Sequence, residues 1–173
     1  LSGVSFTGCA GSVHAVTGEN GAGKSTLMKL LAGVHAPSAG EIYMDGVPLH
    51  FDGADKARAA GIATVFQELT LLENLTIAEN LFLGREPRQY GMISGSMMRR
   101  QARVILDDIG IDLDVDRLCG GLTVGEQHLV EVAKSAVMKS QVVIYDEPTA
   151  ALDATGVEKL MALIARQKAE GKL

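Results

Sequence analysis

The chain has 173 residues and a formal charge of −5, from 16 Lys and Arg against 21 Asp and Glu. Hydrophobic residues make up 47% and charged residues 21% of it, which excludes a disordered tail, a collagen-like fibre and a coiled coil. The excess of acidic residues disfavours nucleic acid as a partner. The sequence contains no apolar run of about 18 residues, so we expect no transmembrane helix in it. We expect no signal peptide either, and the two distant cysteines, Cys9 and Cys119, fit a reducing cytosol.

Strands and helices alternate in the first third of the sequence. Apolar residues at helical spacing follow a glycine-rich loop, and Asp45-Gly46 is typical of a hairpin turn. The predicted elements are a buried strand at 12–17, a helix at 24–34, strands at 41–45 and 47–51, a helix at 54–60 and a strand at 62–66.

The middle of the chain is predicted to be mostly helical, from about residue 76 to 121. Thr76 is a candidate N-cap for a helix at 77–83. Alternating strands and helices on both sides of this stretch predict an α/β domain with a largely parallel sheet and an inserted helical subdomain. The remaining predicted elements are helices at 96–109 and 125–138, a strand at 142–145 and a helix at 155–170.

Residues 18–25 match the phosphate-loop pattern G-x-x-x-x-G-K-[ST] without a gap. Glycines let backbone N–H groups turn toward phosphate oxygens, and the following helix adds the positive end of its dipole. Lys24 supplies a mobile charge for the outer phosphates, and the Ser25 hydroxyl is suited to ligate Mg²⁺. The predicted nucleotide-binding residues of this loop are Gly18, Glu19, Asn20, Gly21, Ala22, Gly23, Lys24, Ser25 and Thr26.

Two acidic residues, Asp146 and Glu147, directly follow the predicted strand at 142–145. Ligands bind at the carboxyl ends of strands in open α/β sheets. An acidic pair after a strand is often only a solvated loop, but the phosphate loop in the same chain favours a catalytic role. Asp146 is then placed to hold Mg²⁺, and Glu147 to orient and deprotonate an attacking water.

At this point the sequence resembles the nucleotide-binding subunits of ABC transporters, over nearly its whole length. The phosphate loop corresponds to the family's Walker A motif, and residues 142–147 resemble Walker B with its catalytic glutamate. Gln67 stands where the family has its Q-loop glutamine. Residues 122–127 resemble the signature motif, and residues 151–153 resemble the D-loop. The order of these motifs along the chain makes the resemblance specific.

The resemblance implies a role for each motif and implies ATP and Mg²⁺ as the bound groups. Gln67 offers a carbonyl to Mg²⁺ or to the attacking water, and it ties the nucleotide state to rotation of the helical insert. Thr123, Gly125 and Glu126 open a helix whose positive end faces the ATP of a partner copy, so two ATP molecules lie between two copies. The implied catalytic residues are Glu147, Gln67 and Lys24, and the implied metal ligands are Ser25, Gln67 and Asp146.

The implied fold is a P-loop NTPase (RecA-like) core with a mainly parallel sheet, a small N-terminal antiparallel β part and an inserted α-helical subdomain. Residues 1–70 and 126–173 would form the core, and residues 71–125 the insert. The implied function is ATP hydrolysis that drives an importer from the cytoplasmic face of the inner membrane. Permease subunits would contact the Q-loop and the insert, near residues 69–83, and a solute-binding protein outside the membrane would deliver the cargo.

The signature departs from the family's commonest form, with Thr123 for a serine, Val124 for a glycine and Glu126 for a glutamine. This variation, with the Glu-Asn pair of the phosphate loop, resembles the N-terminal ATPase half of carbohydrate importers, so the expected cargo is a sugar. A soluble ABC ATPase acting on ribosomes or DNA, and a fragment that only binds nucleotide, are the alternatives. We expect a chain truncated at both ends, because the family's switch histidine and adenine-stacking aromatic are not found, and hence weak Mg·ATP binding and poor turnover.

Overall fold

The computed structural model describes residues 2–19, 21–65 and 69–173. Contacts divide the chain into unit 1, which comprises Leu1–Thr64, Lys139–Asp146 and Gln167–Leu173, and unit 2, which comprises Val65–Met138 and Glu147–Arg166. The predicted division into residues 1–70 with 126–173 and residues 71–125 stays a prediction. The elements are α1 (Lys24–Leu31), β1 (Ile42–Met44), β2 (Val47–Leu49), α2 (Ala54–Ala59), β3 (Ile62–Val65), α3 (Ile77–Leu81), β4 (Arg88–Gln89), β5 (Met92–Ile93), α4 (Gly95–Ile109), a 3₁₀ turn (Cys119–Gly121), α5 (Val124–Val137), β6 (Val142–Tyr145) and α6 (Ala154–Ala169).

The antiparallel hairpin of unit 1 confirms the Asp-Gly prediction. Strands β1 and β2 pair with Ile42 opposite Leu49. Asp45 and Gly46 both have positive φ, 51° and 76°, which is the backbone a two-residue type I′ turn requires. This pair is the small antiparallel β part of the predicted fold.

The predicted strand at 12–17 is wrong. The structure assigns no strand there, and Val13 and Val16 are 58% and 43% exposed. Apolar residues alone do not make a strand, because its backbone groups need a neighbouring strand to pair with. In the described part of unit 1 the adjoining backbone bonds elsewhere: the Gly11 N–H donates to Lys172 O at 3.0 Å.

In unit 1, strand β6 ends directly before the acidic pair, and its residue Ile144 is buried. The strand lies beside β3 in a two-stranded sheet, and the N–H groups of Gln141 and Val142 donate to Gly61 O at 2.8 and 3.1 Å. The core beneath consists of Ala57, Ile62 and Ile144, against which Met28, Leu31, Met44, Leu49, Phe51 and Val142 pack.

Helix α1 ends three residues before its predicted end at residue 34. Gly33 follows it with a φ of 71°, in the left-handed region that terminates helices. A Cβ at this position would lie 2.9 Å from Gly53 O and 3.0 Å from Ala57 Cβ. Glycine is therefore required both for the turn and for the close approach of α2 to the end of α1.

Unit 2 is built on α3, α4 and α5, which pack against one another. Their contact buries Ile77, Leu106 and Val130 completely. Thr76 caps α3 as predicted: its hydroxyl accepts from the Glu79 N–H, while the Glu79 carboxylate accepts from the Thr76 N–H at 2.8 Å. The Thr76 N–H and the Thr76 hydroxyl both donate to the Glu79 carboxylate, and these two bonds hold the pKa of Glu79 below its usual value because they favour the charged form.

The buried side-chain amide of Asn80 holds the segment before α3 in place. The Asn80 side chain accepts from the Leu72 N–H at 2.8 Å and donates to Leu72 O, Leu75 O and Thr76 O. It also donates to the Cys119 sulfur at 3.2 Å. Burial raises the pKa of the Cys119 thiol, so this side chain stays protonated.

Strands β4 and β5 form a hairpin inside the stretch predicted to be mostly helical. Its turn places Tyr90 and Gly91 at φ 52° and 82°, again a type I′ arrangement. Sequence inspection misses it because Tyr-Gly lacks the Asn or Asp that normally marks such a turn. Tyr90 is 94% exposed at its tip.

Candidate nucleotide-binding site

The phosphate loop of unit 1 is an exposed turn that leads directly into α1. Gly21 and Gly23 have φ of 85° and 93°, values that side-chain-bearing residues rarely adopt. Gly23 is the N-cap of α1 and, because glycine has no side chain, it makes no capping hydrogen bond to the helix N-terminus. The first N–H groups of the helix therefore keep their capacity to bind an anion. Asn20 lies outside the described residues.

Lys24 lies across this loop. Its ammonium group donates to Gly18 O at 2.8 Å and to Glu19 O at 3.1 Å. Two neutral carbonyl oxygens thus hold the positive charge at the turn. A phosphate group is negatively charged, so it would form stronger hydrogen bonds with the ammonium group and displace them. The loop combines a flexible cation, glycine backbone and a helix N-terminus, which is the chemistry that phosphate requires.

Two side chains of unit 1 carry oxygen atoms of the kind that Mg²⁺ takes as ligands. Ser25 is exposed in the first turn of α1, and Asp146 is half-buried at the carboxyl end of β6. Hydroxyl and carboxylate oxygens are ligands that Mg²⁺ prefers, and the ion normally takes further ligands from substrate phosphates and water. The third predicted ligand, Gln67, lies outside the described residues.

Glu147 has an unusual backbone. Its φ is 50°, in the left-handed region, although it carries a full side chain. The conformation is held by a turn in which the Ala150 N–H donates to Glu147 O at 3.2 Å. Strained backbone of this kind is concentrated at functional sites. The exposed carboxylate is therefore presented by a specially shaped turn.

The signature residues begin α5 in unit 2. Thr123 is its N-cap: the hydroxyl accepts from the Glu126 N–H at 3.3 Å, and the Glu126 carboxylate accepts from the Thr123 N–H at 2.7 Å. Glu126 also pairs with Arg117 at 3.2 Å. These contacts, the Thr123 backbone bond foremost, lower the pKa of Glu126. The carboxylate is hence charged at neutral pH, at the same helix end that was predicted to face a phosphate.

The signature and the D-loop are neighbours within unit 2. A Cβ added at Gly125 would lie 3.8 Å from Ala151 O. Asp153 of the D-loop accepts from the Gly156 N–H at 2.7 Å and so caps α6. Sequence reasoning missed this capping role and the Arg117–Glu126 pair, although an Asp at the start of a helix is a usual N-cap signal.

The structure thus describes the predicted residues in two groups. The phosphate loop and Asp146 belong to unit 1, while Glu147, Thr123, Gly125 and Glu126 belong to unit 2. Among the described residues, no three His, Cys, Asp or Glu side chains form a metal cluster. No helix in the same residues is long and apolar enough to cross a membrane.

Comparison with known proteins decides the family. Residues 1–150 match the family model described as ABC transporter. The chain belongs to the ABC transporter family. This confirms the resemblance on which the motif assignments rest.

Curated members of the ABC transporter family match along the whole chain. The arabinose import ATP-binding protein AraG of Pectobacterium atrosepticum is 42% identical over 173 residues, and the ribose import ATP-binding protein RbsA of Chromobacterium violaceum is 47% identical over 172. The aligned region covers 100% and 99% of this chain but 34% of each relative. The chain therefore spans about a third of the length of these proteins.

Solved ABC structures confirm the fold. MJ1267, an ATP-binding cassette of an ABC transporter, superposes with a TM-score of 0.83 at 26% identity, covering 100% of this chain and 72% of that one. The cassette MJ0796, in a dimeric post-hydrolysis state bound to ADP and Pi, gives 0.74 at 27% identity, covering 89% and 68%. The predicted α/β class with a P-loop NTPase core is confirmed.

Proposed function

We propose that this chain is the ATP-binding and ATP-hydrolysing part of an importer for a sugar. The observation that carries the proposal is the phosphate loop, where Lys24 and the uncapped start of α1 converge on one exposed turn. Two relatives that align over the whole chain are named as arabinose and ribose import ATP-binding proteins, which supports a sugar as cargo.

The chain's own residues suggest how hydrolysis proceeds. Residues 18–26 would bind the phosphates through their backbone, with Lys24 leaving its two carbonyl partners for the outer phosphates. Ser25, Asp146 and Gln67 would hold Mg²⁺, which neutralises phosphate charge when bound. Glu147 would accept a proton from the attacking water. Thr123, Gly125 and Glu126 would face the nucleotide held by a second copy.

The same family assignment suggests which proteins the chain would contact. Permease subunits would contact the Q-loop and the helical insert, and a solute-binding protein would act on the far side of the membrane. The chain would then lie peripherally on the cytoplasmic face of the inner membrane. The dimeric state of MJ0796 supports a sandwich of two nucleotide-binding domains.

The test is Glu147→Gln in the full-length protein assembled with its permease. Loss of the general base should lower ATP turnover by about 10²–10⁴-fold and leave ATP binding intact. Glu158→Gln, at an exposed position of α6, is the matched control. Full ATP turnover by Glu147→Gln would contradict the assignment of Glu147 as the general base. A wild-type ATPase rate that changes with neither the permease nor the sugar would favour a soluble ATPase.

A further inference from the structure

Three polar side chains of unit 2 form a cluster that none of the motifs includes. Thr70 donates through its hydroxyl to the Glu131 carboxylate at 2.8 Å and through its N–H at 3.3 Å. The Lys134 ammonium donates to the Thr70 hydroxyl at 2.7 Å and lies 3.3 Å from Glu131. We call Thr70, Glu131 and Lys134 the Thr70 clamp.

The charged side chains of the Thr70 clamp are largely removed from water. The Glu131 side chain is 6% exposed and that of Lys134 is 13% exposed. Desolvating an ion pair is costly, so apolar residues of similar size would often serve stability equally well. Stability alone therefore does not explain an ion pair at this site, whereas a requirement for a specific geometry does.

Position along the chain indicates what that geometry joins. Thr70 is three residues after Gln67, and Glu131 and Lys134 lie on α5, which begins at the signature residue Thr123. A helix is stiff over the eight residues from Thr123 to Glu131, a length of about 12 Å. The clamp thus fixes Thr70 to the same rigid helix that carries the signature.

The segment after Thr70 is held independently. Leu72 is bound through both its N–H and its carbonyl oxygen by the Asn80 side chain, at 2.8 and 2.9 Å. Breaking the clamp should therefore free residues 69–71 and leave α3 docked. The anchoring by Asn80 makes the clamp a local device that a single substitution reaches.

We propose that the Thr70 clamp couples the Q-loop to the signature helix during the ATP cycle. Thr70, Glu131 and Lys134 are positioning residues, because they act through Gln67 and Thr123. With the clamp intact, movement of the signature helix also moves Thr70, which follows Gln67 by three positions in the sequence. This inference rests on the proposed ATPase function. It predicts that loss of the clamp separates ATP hydrolysis from transport.

The test uses the full-length importer in proteoliposomes, with D-ribose and L-arabinose as probe solutes. Thr70→Val removes the hydroxyl and keeps the shape and the backbone N–H, and Thr70→Ser restores the hydroxyl. Thr155→Val, at an exposed position of α6, is the matched control. We expect Thr70→Val to transport about five- to tenfold less sugar per ATP hydrolysed, with unchanged ATP affinity, and Thr70→Ser to resemble wild type.

The sugar-to-ATP ratio distinguishes coupling from folding. A variant that is merely unstable lowers the active fraction, which reduces transport and hydrolysis together and leaves their ratio unchanged. An unchanged ratio in Thr70→Val would overturn the clamp's role alone. A wild-type protein that hydrolyses no ATP would overturn the proposed function, and the clamp's role with it.

Discussion

The ammonium group of Lys24 lies 2.8 Å from the carbonyl oxygen of Gly18, so the first glycine of the phosphate loop and its lysine are joined directly. This hydrogen bond bends the long Lys24 side chain back over the phosphate loop, at whose end Lys24 lies. A second carbonyl, Glu19 O, completes the arrangement at 3.1 Å. Both partners are neutral carbonyl oxygens, and an arriving phosphate meets a charge that is already positioned.

Removing that cation should weaken nucleotide binding. Lys24→Met keeps the length of the side chain and loses its charged hydrogen bonds, so ATP affinity should fall by roughly 10–100-fold. Titration with a fluorescent ATP analogue measures this. Lys29→Met, at an exposed position of the same helix, should bind as wild type does. Equal affinity of the two variants would contradict the assigned role of Lys24.

The left-handed backbone of Glu147 predicts a conflict between stability and activity. Glycine adopts a φ of 50° without steric cost, whereas alanine at this position keeps the steric cost. Both substitutions remove the carboxylate. Glu147→Gly should therefore be about 1 kcal/mol more stable to urea than Glu147→Ala. Both should hydrolyse ATP poorly. An alanine variant as stable as the glycine variant would show that the site is unstrained.

The capping box of α3 predicts a pH dependence. The pKa of Glu79 lies below its usual 4.5 because the Thr76 N–H and hydroxyl bind its charged form. Its contribution to the free energy of unfolding is therefore complete above pH 4.5 and disappears as the pH falls through the lowered pKa.

Glu79→Gln tests this dependence, since an amide oxygen also completes a capping box but does not titrate. Urea unfolding at stepped pH should show the wild type more stable than the variant at pH 7, with the gap closing under acid. A gap that widens as the pH falls would show the opposite sign and contradict the hydrogen-bond assignment.

Substitutions at Gly33 and Gly40 distinguish the cost of backbone strain from the cost of steric crowding. Both have positive φ, 71° and 85°, but only at Gly33 would a Cβ meet neighbouring atoms, and space is open at Gly40. Gly40→Ala should cost about 1 kcal/mol, and Gly33→Ala about 1–3 kcal/mol more. Urea unfolding of the two variants measures the difference. Equal losses would mean that α2 moves away at no cost.

The sequence predicted best where the signal is local. The cap at Thr76 and the Asp45-Gly46 turn each depend on residues within a few positions of one another, and both are present. The phosphate loop is a pattern of the same kind. Local patterns are read directly because their hydrogen bonds close within the pattern.

Features that depend on distant partners were not predictable. Residues 12–17 have the composition of a strand, but the sequence does not show whether another strand lies beside them. A carboxylate on a helix is usually solvated, so nothing in the sequence marks Glu131 as buried beneath Thr70. The positive φ of Glu147 is likewise imposed by the turn around it. Tertiary context decides each case.

The two cysteines differ in a way that has an experimental use. Cys9 is exposed in unit 1, whereas Cys119 is buried in unit 2, with its thiol bonded to Asn80 and its pKa raised. The thiolate is the nucleophile that attacks alkylating reagents and Cys9 is exposed, so the folded chain should take up one label rapidly at Cys9. Uptake of a second label then requires unit 2 to open. The natural sequence therefore allows the local opening rate of that unit to be followed by mass spectrometry, without any introduced residue.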